Sequence, residues 1–330
     1  MTTTDAPVDV AELGTAFCSA KILLSALELG VFTELAGGTA TEEELRARLG
    51  LHARPAADFF DALVALGLLA RDGERYRNTA VASAQLVRGP DYQGGFLEGA
   101  NHVLYPAWGQ LTTALRTGQV QVQGTVADSL SDPRAQLGYL AMQDALSAPL
   151  AADLETAIDW SAYGTVADIG GARGNMVSLL LTALPHLRGR VFDQPANEGP
   201  FGDHMRMRCV ADRAAFTGGD LFRDPFPSAD VLVIGHVLAD FSLTQRMSLV
   251  AKAFEAVNPG GALLVYDPMT ERDRPELVSL VASMHMLLMT DGGQAYPASE
   301  CQKWLLDTGF ADTRAQRIGR GNSLVIGLKA

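Results

Sequence analysis

From Phe17 to Leu35 the chain is apolar and helical, with Ala16, Ile22, Leu23, Ala26, Leu27 and Leu29 in the pattern and Gly30 closing the run. Thr41 followed by Glu42, Glu43 and Glu44 predicts a short helix opened by a capping box, with Thr41 as N-cap and Glu44 reaching back to it. Leu49-Gly50 ends that helix, and Pro55, a favoured first helical residue, opens another through Phe59, Phe60, Leu63, Val64 and Leu66 to Gly67. Leu68-Leu69-Ala70 and Arg75-Tyr76-Arg77-Asn78 flank Asp72-Gly73, a hairpin signal. Three helices and a two-stranded wing make a winged-helix pattern over residues 1–100.

Residues 101–160 read as a helical linker. Trp108, Leu111, Ala114 and Leu115 form one stripe ending at Thr117-Gly118, and a long helix after Asp132-Pro133 carries Leu137, Leu140, Met142, Leu146, Leu150, Leu154 and Ile158. From residue 161 to 330 the pattern alternates strand and helix. Thr165–Ile169, Arg190–Asp193, Asp230–Ile234, Ala262–Asp267 and Ser323–Gly327 are short buried strands. Asn175–Ala183 and the face of Leu243, Met247, Val250, Phe254 and Val257 are helices, the latter stopped at Asn258-Pro259-Gly260-Gly261. This is an α/β architecture: a Rossmann-like, mostly parallel doubly wound sheet, with its ligand expected at the carboxyl ends of the strands.

Charge narrows the partners. The 330 residues hold 26 Lys and Arg against 38 Asp and Glu, a net charge of −12, which repels phosphate backbones and anionic lipid. A winged helix invites a DNA-binding reading, but the helix that would enter the groove carries Asp58 and Asp61 and has Arg54 as its one basic residue. The apolar first helix reads instead as an intersubunit surface. Cys18, Cys209 and Cys301 are scattered without metal-ligand spacing, and no metal is expected. Met1 to Val10 lacks the basic and apolar regions of a leader, and no uninterrupted apolar run reaches spanning length, so a soluble cytoplasmic protein is expected.

The most informative stretch is Asp168-Ile169-Gly170-Gly171-Ala172-Arg173-Gly174-Asn175, glycines between a buried strand and a helix. Glycines at 170, 171 and 174 satisfy no register of G-x-G-x-x-G. Asp168 would repel a phosphate and suits a cationic group such as an amine or a sulfonium. Asp193 ends the second strand 19 residues after Gly174, where an acid binds the ribose hydroxyls of an adenosine. Asp220, in Gly218-Gly219-Asp220-Leu221-Phe222, is placed to meet the adenine amino group. Adenosine with an amino-acid tail and no phosphates is S-adenosylmethionine (SAM).

With these motifs the sequence resembles the SAM-dependent small-molecule O-methyltransferases that carry an N-terminal winged-helix dimerisation domain, known from plants and bacterial secondary metabolism. Beyond that domain, the resemblance rests on Ala107-Trp108 through Leu115–Gly118, Asp168–Gly174, Leu187–Asp193, Gly219–Phe222, His236-Val237-Leu238 and Pro259-Gly260-Gly261. It implies that Gly170, Gly171, Asp193, Asp220 and Leu221 hold SAM, with Gly235 near its methionine part and Met142 close to the methyl group and substrate. It also implies a homodimer interlocked through the first domain, and a long helix near Met142 that helps cover the active site.

The chain departs from the plant type at the catalytic cluster. A His–Asp–Trp sequence, whose His takes the phenol proton, reads Ala239-Asp240-Phe241 here. Of the two acids that bracket that His, one matches Asp267 and the other falls at Ala295. Methyl transfer from a sulfonium tolerates this loss, because orientation can contribute ~7–11 kcal/mol whereas a base adds ~10²–10⁴-fold. His285 and His236 are the candidate replacements. His102, Trp108, Met284 and Met289 are candidate substrate contacts, while His52, His186 and His204 read as surface residues. A metal site from His285, Asp240 and Asp267 needs a folded proximity that spacing does not provide. The expected reaction is methylation of a hydroxyl on an aromatic or polyketide-like natural product, mainly by proximity. The alternatives are C- or N-methylation, or a SAM-binding relative that decarboxylates, hydroxylates or catalyses a pericyclic step.

Overall fold

A computed structural model describes residues 8–88, 92, 94–122, 133–271, 273 and 276–330. The leader position through Pro7 and the helix-preceding Asp132 lie outside the described residues. The chain divides into two compact units, Met1–Val103 and Leu104–Ala330.

In the first unit the opening helix is longer than its apolar pattern. It runs over Val10–Leu29 because Asp9 caps it, accepting from the amides of Ala11 (2.9 Å) and Glu12 (3.0 Å). By length and composition it is the one helix among the described residues that meets the requirement for a bilayer span. Counting uninterrupted apolar residues missed this, since Glu12, Lys21 and Glu28 break the run. The Thr41 capping box forms as expected, with Glu44 N donating to Thr41 Oγ1 at 3.2 Å and Thr41 N to Glu44 Oε2 at 2.9 Å. The next helix, Ala53–Ala65, starts two residues before Pro55, with His52 as its cap. The wing pairs β2 (Leu69–Asp72) with β3 (Arg75–Asn78), and β1 (Ala40–Thr41) adds a third strand to β3. Phe32, Leu45, Phe60, Leu63 and Tyr76 form the core. Asp61 is held by the wing itself, accepting from Arg71 at 3.0 Å and from the Tyr76 hydroxyl at 2.8 Å.

In the second unit the stripe around Trp108 is two helices, Tyr105–Trp108 and Leu111–Thr117, rather than one. The long helix also breaks. Pro133–Ser147 gives way to a 3₁₀ turn at Ala148–Leu150 and resumes as Ala151–Ala157, because Pro149 has no N–H to continue the ladder. A seven-stranded sheet follows in the order β6-β5-β4-β7-β8-β10-β9. β4 (Thr165–Ile169), β5 (Arg188–Asp193), β6 (Ala214–Gly218), β7 (Ala229–Gly235) and β8 (Val257–Asp267) are parallel, while β10 (Asn322–Leu328) runs antiparallel to β8 and to β9 (Asp312–Ile318). Asn258–Gly261 belongs to β8, the preceding helix having ended at Ala256. Strand order reverses between β4 and β7, the crevice where doubly wound sheets bind ligands. The opposed apolar layers of the core meet on the two faces of this sheet, through residues such as Leu232, Val265 and Trp304 on one side and Val233, Leu264 and Leu180 on the other.

Candidate active site

The turn after β4 is shaped by close approach. Gly170 has φ +78°, and a Cβ there would lie 2.7 Å from Val237 Cγ2. A Cβ on Gly171 would lie 2.6 Å from Asp168 Oδ2. At the end of β7 the constraint is tighter: a Cβ on Gly235 would sit 1.9 Å from Tyr266 Cζ. Ala172 (φ +51°) and His236 (φ +53°) occupy left-handed backbone without being glycine, a conformation that costs roughly 1–2 kcal/mol and that collects at functional sites.

Asp168, Gly170, Gly171, Gly235 and His236 line one cleft. Its far wall is a stripe that sequence reading passed over: Gln143, Asp144 and Ser147 of the Pro133–Ser147 helix. Asn175 and Tyr266 also line it. The polar positions Gln136, Tyr139, Gln143, Asp144 and Ser147 recur on one helical face, a signal masked by the apolar pattern of the same helix.

Asp168 is 4% exposed and accepts no hydrogen bond among the described residues. Burial, and secondly the charge of Asp193, pushes its pKa up to about 7. A buried carboxylate without a donor calls for a cationic partner. Asp193 has partners: Oδ2 accepts from Ala172 N (2.8 Å), and Oδ1 from Gln194 N (2.7 Å) and Asn197 Nδ2 (2.9 Å). Burial raises its pKa while these three donors pull it back. A carboxylate offers about four acceptor sites, so room remains for a ligand hydroxyl. Gly218 pairs with Asp193 across β5 and β6, which brings Asp220 and Leu221 to the same sheet end. Asp220 is exposed and orders its own turn, accepting from Phe222 N at 2.8 Å and Arg223 N at 3.1 Å. The Leu221 carbonyl accepts from Lys252 Nζ.

The second group of expected residues lies on the Leu277–Met289 helix and on several other helices. His285 meets Trp108 edge-on, ring centroids 5.3 Å apart. Burial holds its pKa below the usual 6.5, which keeps the imidazole neutral at pH 7. Trp108 and Met289 border an apolar cluster around Ala107, Ala114 and Leu288. Met142 and Met284 are half-buried on their helices. His102 is exposed on a π-helical turn, Ala100–Leu104. The Leu277–Met289 helix packs against the turn Leu238–Asp240 that carries Ala239, itself 3% exposed.

Two candidates already have partners. His236 Nε2–H donates to Asn322 Oδ1 at 2.9 Å, and its ring stands edge-on to Tyr266. Asp267 is fully buried and accepts from the Tyr296 hydroxyl at 2.5 Å. Burial raises its pKa to about 7 against that bond and the Arg246 charge. Asp240 is likewise raised to about 7, by burial and then by Asp267. Of the histidines expected at the surface, His52 and His186 are exposed. His204 is not: it is 5% exposed, with Nε2 3.2 Å from Ser178 Oγ, because its helix turns that face onto Asn175–Ala183.

A cleft with a lone buried carboxylate, glycines where a Cβ would intrude, and a second carboxylate at the adjacent strand end fits a cationic amino-acid nucleoside. The pKa of Asp168 gives a sign for its pH dependence. Below pH 7 the carboxyl becomes protonated and offers a cation no charge. SAM affinity is therefore expected to fall about tenfold per unit below pH 7 and to level off above pH 8. Titration calorimetry from pH 5.5 to 8.5 reads this, and Asp168→Asn removes the slope. A flat wild-type profile rejects Asp168 as the cation's partner.

Comparison with known proteins bears on the same features. Residues 108–311 match the O-methyltransferase domain, and residues 11–88 the O-methyltransferase dimerisation domain. The tetracenomycin polyketide synthesis 8-O-methyl transferase TcmO of Streptomyces glaucescens is 45% identical over 98% of this chain and 97% of its own. The N,N-dimethyltransferase OxyT of Streptomyces rimosus is 40% identical, with both chains fully covered. Human N-acetylserotonin methyltransferase in complex with SAM shares the fold, with a TM-score of 0.90, 24% identity and 99% of each chain covered. The chain belongs to the SAM-dependent O-methyltransferase family, with the family's dimerisation domain ahead of its catalytic domain.

Proposed function

We propose that the protein methylates a hydroxyl group of an aromatic, polyketide-like small molecule, chiefly by positioning acceptor and cofactor. The observation that carries this reading is the turn at Ala239. The side chain there is a methyl group, and the acid beneath it, Asp267, is already engaged by Tyr296. No imidazole stands where the plant-type relatives place their base. The name of TcmO, a polyketide methyltransferase, supports the acceptor class.

When bound, SAM supplies a methyl group already activated as a sulfonium. Asp168 holds the amino group, Gly170, Gly171 and Gly235 let the backbone approach, and Asp193 takes the sugar hydroxyls. Asp220 and Leu221 border the adenine. Trp108, Met142, Met284 and Met289 form the acceptor's contacts, with soft thioethers suited to a flat ring system. His285, kept neutral by burial, accepts the hydroxyl proton. His236 and Asp267 position the loops through Asn322 and Tyr296. The Pro133–Ser147 helix covers the site, and the exposed Leu13 and Phe17 of the Val10–Leu29 helix, 68% and 59% exposed, are the surface for a second copy of the chain.

The test is transfer of labelled methyl from SAM to a panel of aromatic polyketides, with the product's methyl located by NMR. His285→Gln is expected to lower kcat by less than about 100-fold, and less still for acceptors of low pKa, since orientation supplies the larger share. A loss near 10⁴-fold would make His285 a full general base and reject the positioning reading. The name of OxyT favours one second reading, methylation of an amine. A neutral amine attacks without prior deprotonation, so in that case His285→Gln leaves kcat unchanged and the label appears on nitrogen.

A further inference from the structure

The resemblance implies that the helix carrying Met142 covers the cleft, and it leaves unexplained the polar contacts that hold this helix in place. That helix, Pro133–Ser147, is fastened at both ends. Near its C-terminus Asp144 Oδ2 accepts from Arg173 Nε at 2.9 Å and also from Arg173 Nη2. One turn on, Asn175 Nδ2 donates to Ser147 Oγ at 3.0 Å and to the Asp144 carbonyl at 3.3 Å. Near the N-terminus Gln136 Nε2 donates to the Ala196 carbonyl at 2.9 Å and to Asn197 Oδ1 at 3.3 Å. Asn197 in turn donates to Asp193 Oδ1 at 2.9 Å.

The two fastenings reach the two pieces of backbone that hold the cofactor. Arg173 and Asn175 belong to the glycine turn, and Asn197 is bonded to the carboxylate expected at the sugar. The Arg173–Asp144 pair is the stronger, a charge-assisted contact with both side chains about four-fifths shielded from solvent. It has a second effect. An arginine in the glycine turn would repel a cationic cofactor, and Asp144 neutralises it, leaving Asp168 as the unneutralised charge in the cleft.

We propose that Arg173 and Asp144, assisted by Gln136 and Asn197, are positioning residues that clamp the Pro133–Ser147 helix over the cofactor and set the rate of cofactor exchange. The proposal rests on the placement of SAM in this cleft. Methyl transfer leaves S-adenosylhomocysteine, which lacks the sulfonium charge but keeps the amino group that Asp168 holds, so with one attraction lost its retention depends more on this clamp than that of SAM does. Opening the clamp frees the wall formed by Gln143, Asp144 and Ser147 and lets the product out.

The experiment compares the wild-type chain with Asp144→Asn, Arg173→Gln, Gln136→Ala and the exchanged pair Arg173→Asp/Asp144→Arg. Radiolabelled S-adenosylhomocysteine is loaded and its release followed under an unlabelled chase, and amide hydrogen exchange is recorded without cofactor. The single variants at 144 and 173 are expected to release product about tenfold faster. They also exchange amides of residues 136–147 faster, with β4 and β7 unchanged. The exchanged pair recovers most of the loss, which a merely structural defect would not allow. Should the paired variants misfold, Gln136→Ala reads the same two quantities from the other end. Wild-type release rates in every folded variant, or faster release without faster amide exchange in the helix, overturn the clamp. If the wild-type chain fails to bind SAM, or Asp168→Asn binds it equally well, the cofactor placement falls and the clamp with it.

Discussion

Asp193→Ala is expected to weaken SAM binding by at least about 100-fold, the largest loss of any single substitution at the sheet end. The carboxylate does two things that alanine cannot. In the proposed site it is the acceptor for the sugar hydroxyls, where hydrogen bonds to a charged group contribute about 1.5–3 kcal/mol each. It also holds the glycine turn, since its Oδ2 receives the Ala172 amide at 2.8 Å while Ala172 sits at φ +51°. Without that acceptor the strained alanine has nothing to keep it in left-handed backbone, and the turn at Gly170 and Gly171 relaxes with it. Two lost contacts of this size amount to about 3 kcal/mol, or a little over two orders of magnitude in Kd. Calorimetric titration with SAM and with S-adenosylhomocysteine measures the loss. Both ligands should suffer alike, because the sugar is common to them.

Asp193→Asn separates the two roles. The amide oxygen can still accept from Ala172, so the turn survives while the charge is gone. An intermediate loss of about tenfold is expected. Equal collapse of the Ala and Asn variants would assign the whole effect to charge. Unchanged binding in either would remove Asp193 from the site.

The elements around this site were legible for a simple reason. β4 is buried from Val166 to Ile169 and the helix after it buries Met176, Val177, Leu180 and Leu181, so each reads as a mostly apolar run, and glycines mark the boundary between them. β6 and β9 escaped the same reading because they lie at the two edges of the sheet. An edge strand is covered less, and Asp312-Thr313-Arg314-Ala315-Gln316-Arg317-Ile318 ends with its one buried residue, Ile318. The break of the long helix was marked by Pro149 but outweighed by leucines at four-residue spacing on either side of it. His204 carries no local sign of burial; its partner Ser178 comes from another helix.

The plant-type catalytic groups were legible as absences. Ala239 and Ala295 show in the sequence that the plant-type base and one bracketing acid are missing. What stands in their place does not show. The Tyr296 hydroxyl reaches Asp267 only because the loop after the Leu277–Met289 helix returns to the end of β8, 29 positions away in the chain. The Arg173–Asp144 pair spans a similar separation, again 29 positions. Polar contacts between elements depend on how the elements pack, and a one-dimensional apolar pattern carries no record of that.

Gly235→Ala extends this reasoning to a residue whose role is steric. It is the last residue of β7 and pairs with Tyr266 of β8, whose ring crosses the space a side chain would need. A methyl group there would lie 1.9 Å from Cζ, 2.2 Å from the hydroxyl oxygen and 2.3 Å from Cε1. Tyr266 is 3% exposed and lines the cleft, so its ring cannot swing into solvent without opening the wall. Overpacking of this kind costs about 1–3 kcal/mol, with a further loss of SAM binding of about 100-fold as the ring is pushed toward the cofactor. The double variant Gly235→Ala/Tyr266→Ala distinguishes the cause. If the clash is the whole effect, removing the ring restores most of the binding that the single substitution lost, and the two changes are strongly non-additive. If instead β7 needs glycine for the backbone's own approach to the cofactor, binding stays weak with the ring gone. Recovery would make Tyr266 the packing partner that fixes the width of the cleft at the strand end, and persistent loss would give that part of the wall to the Gly235 main chain.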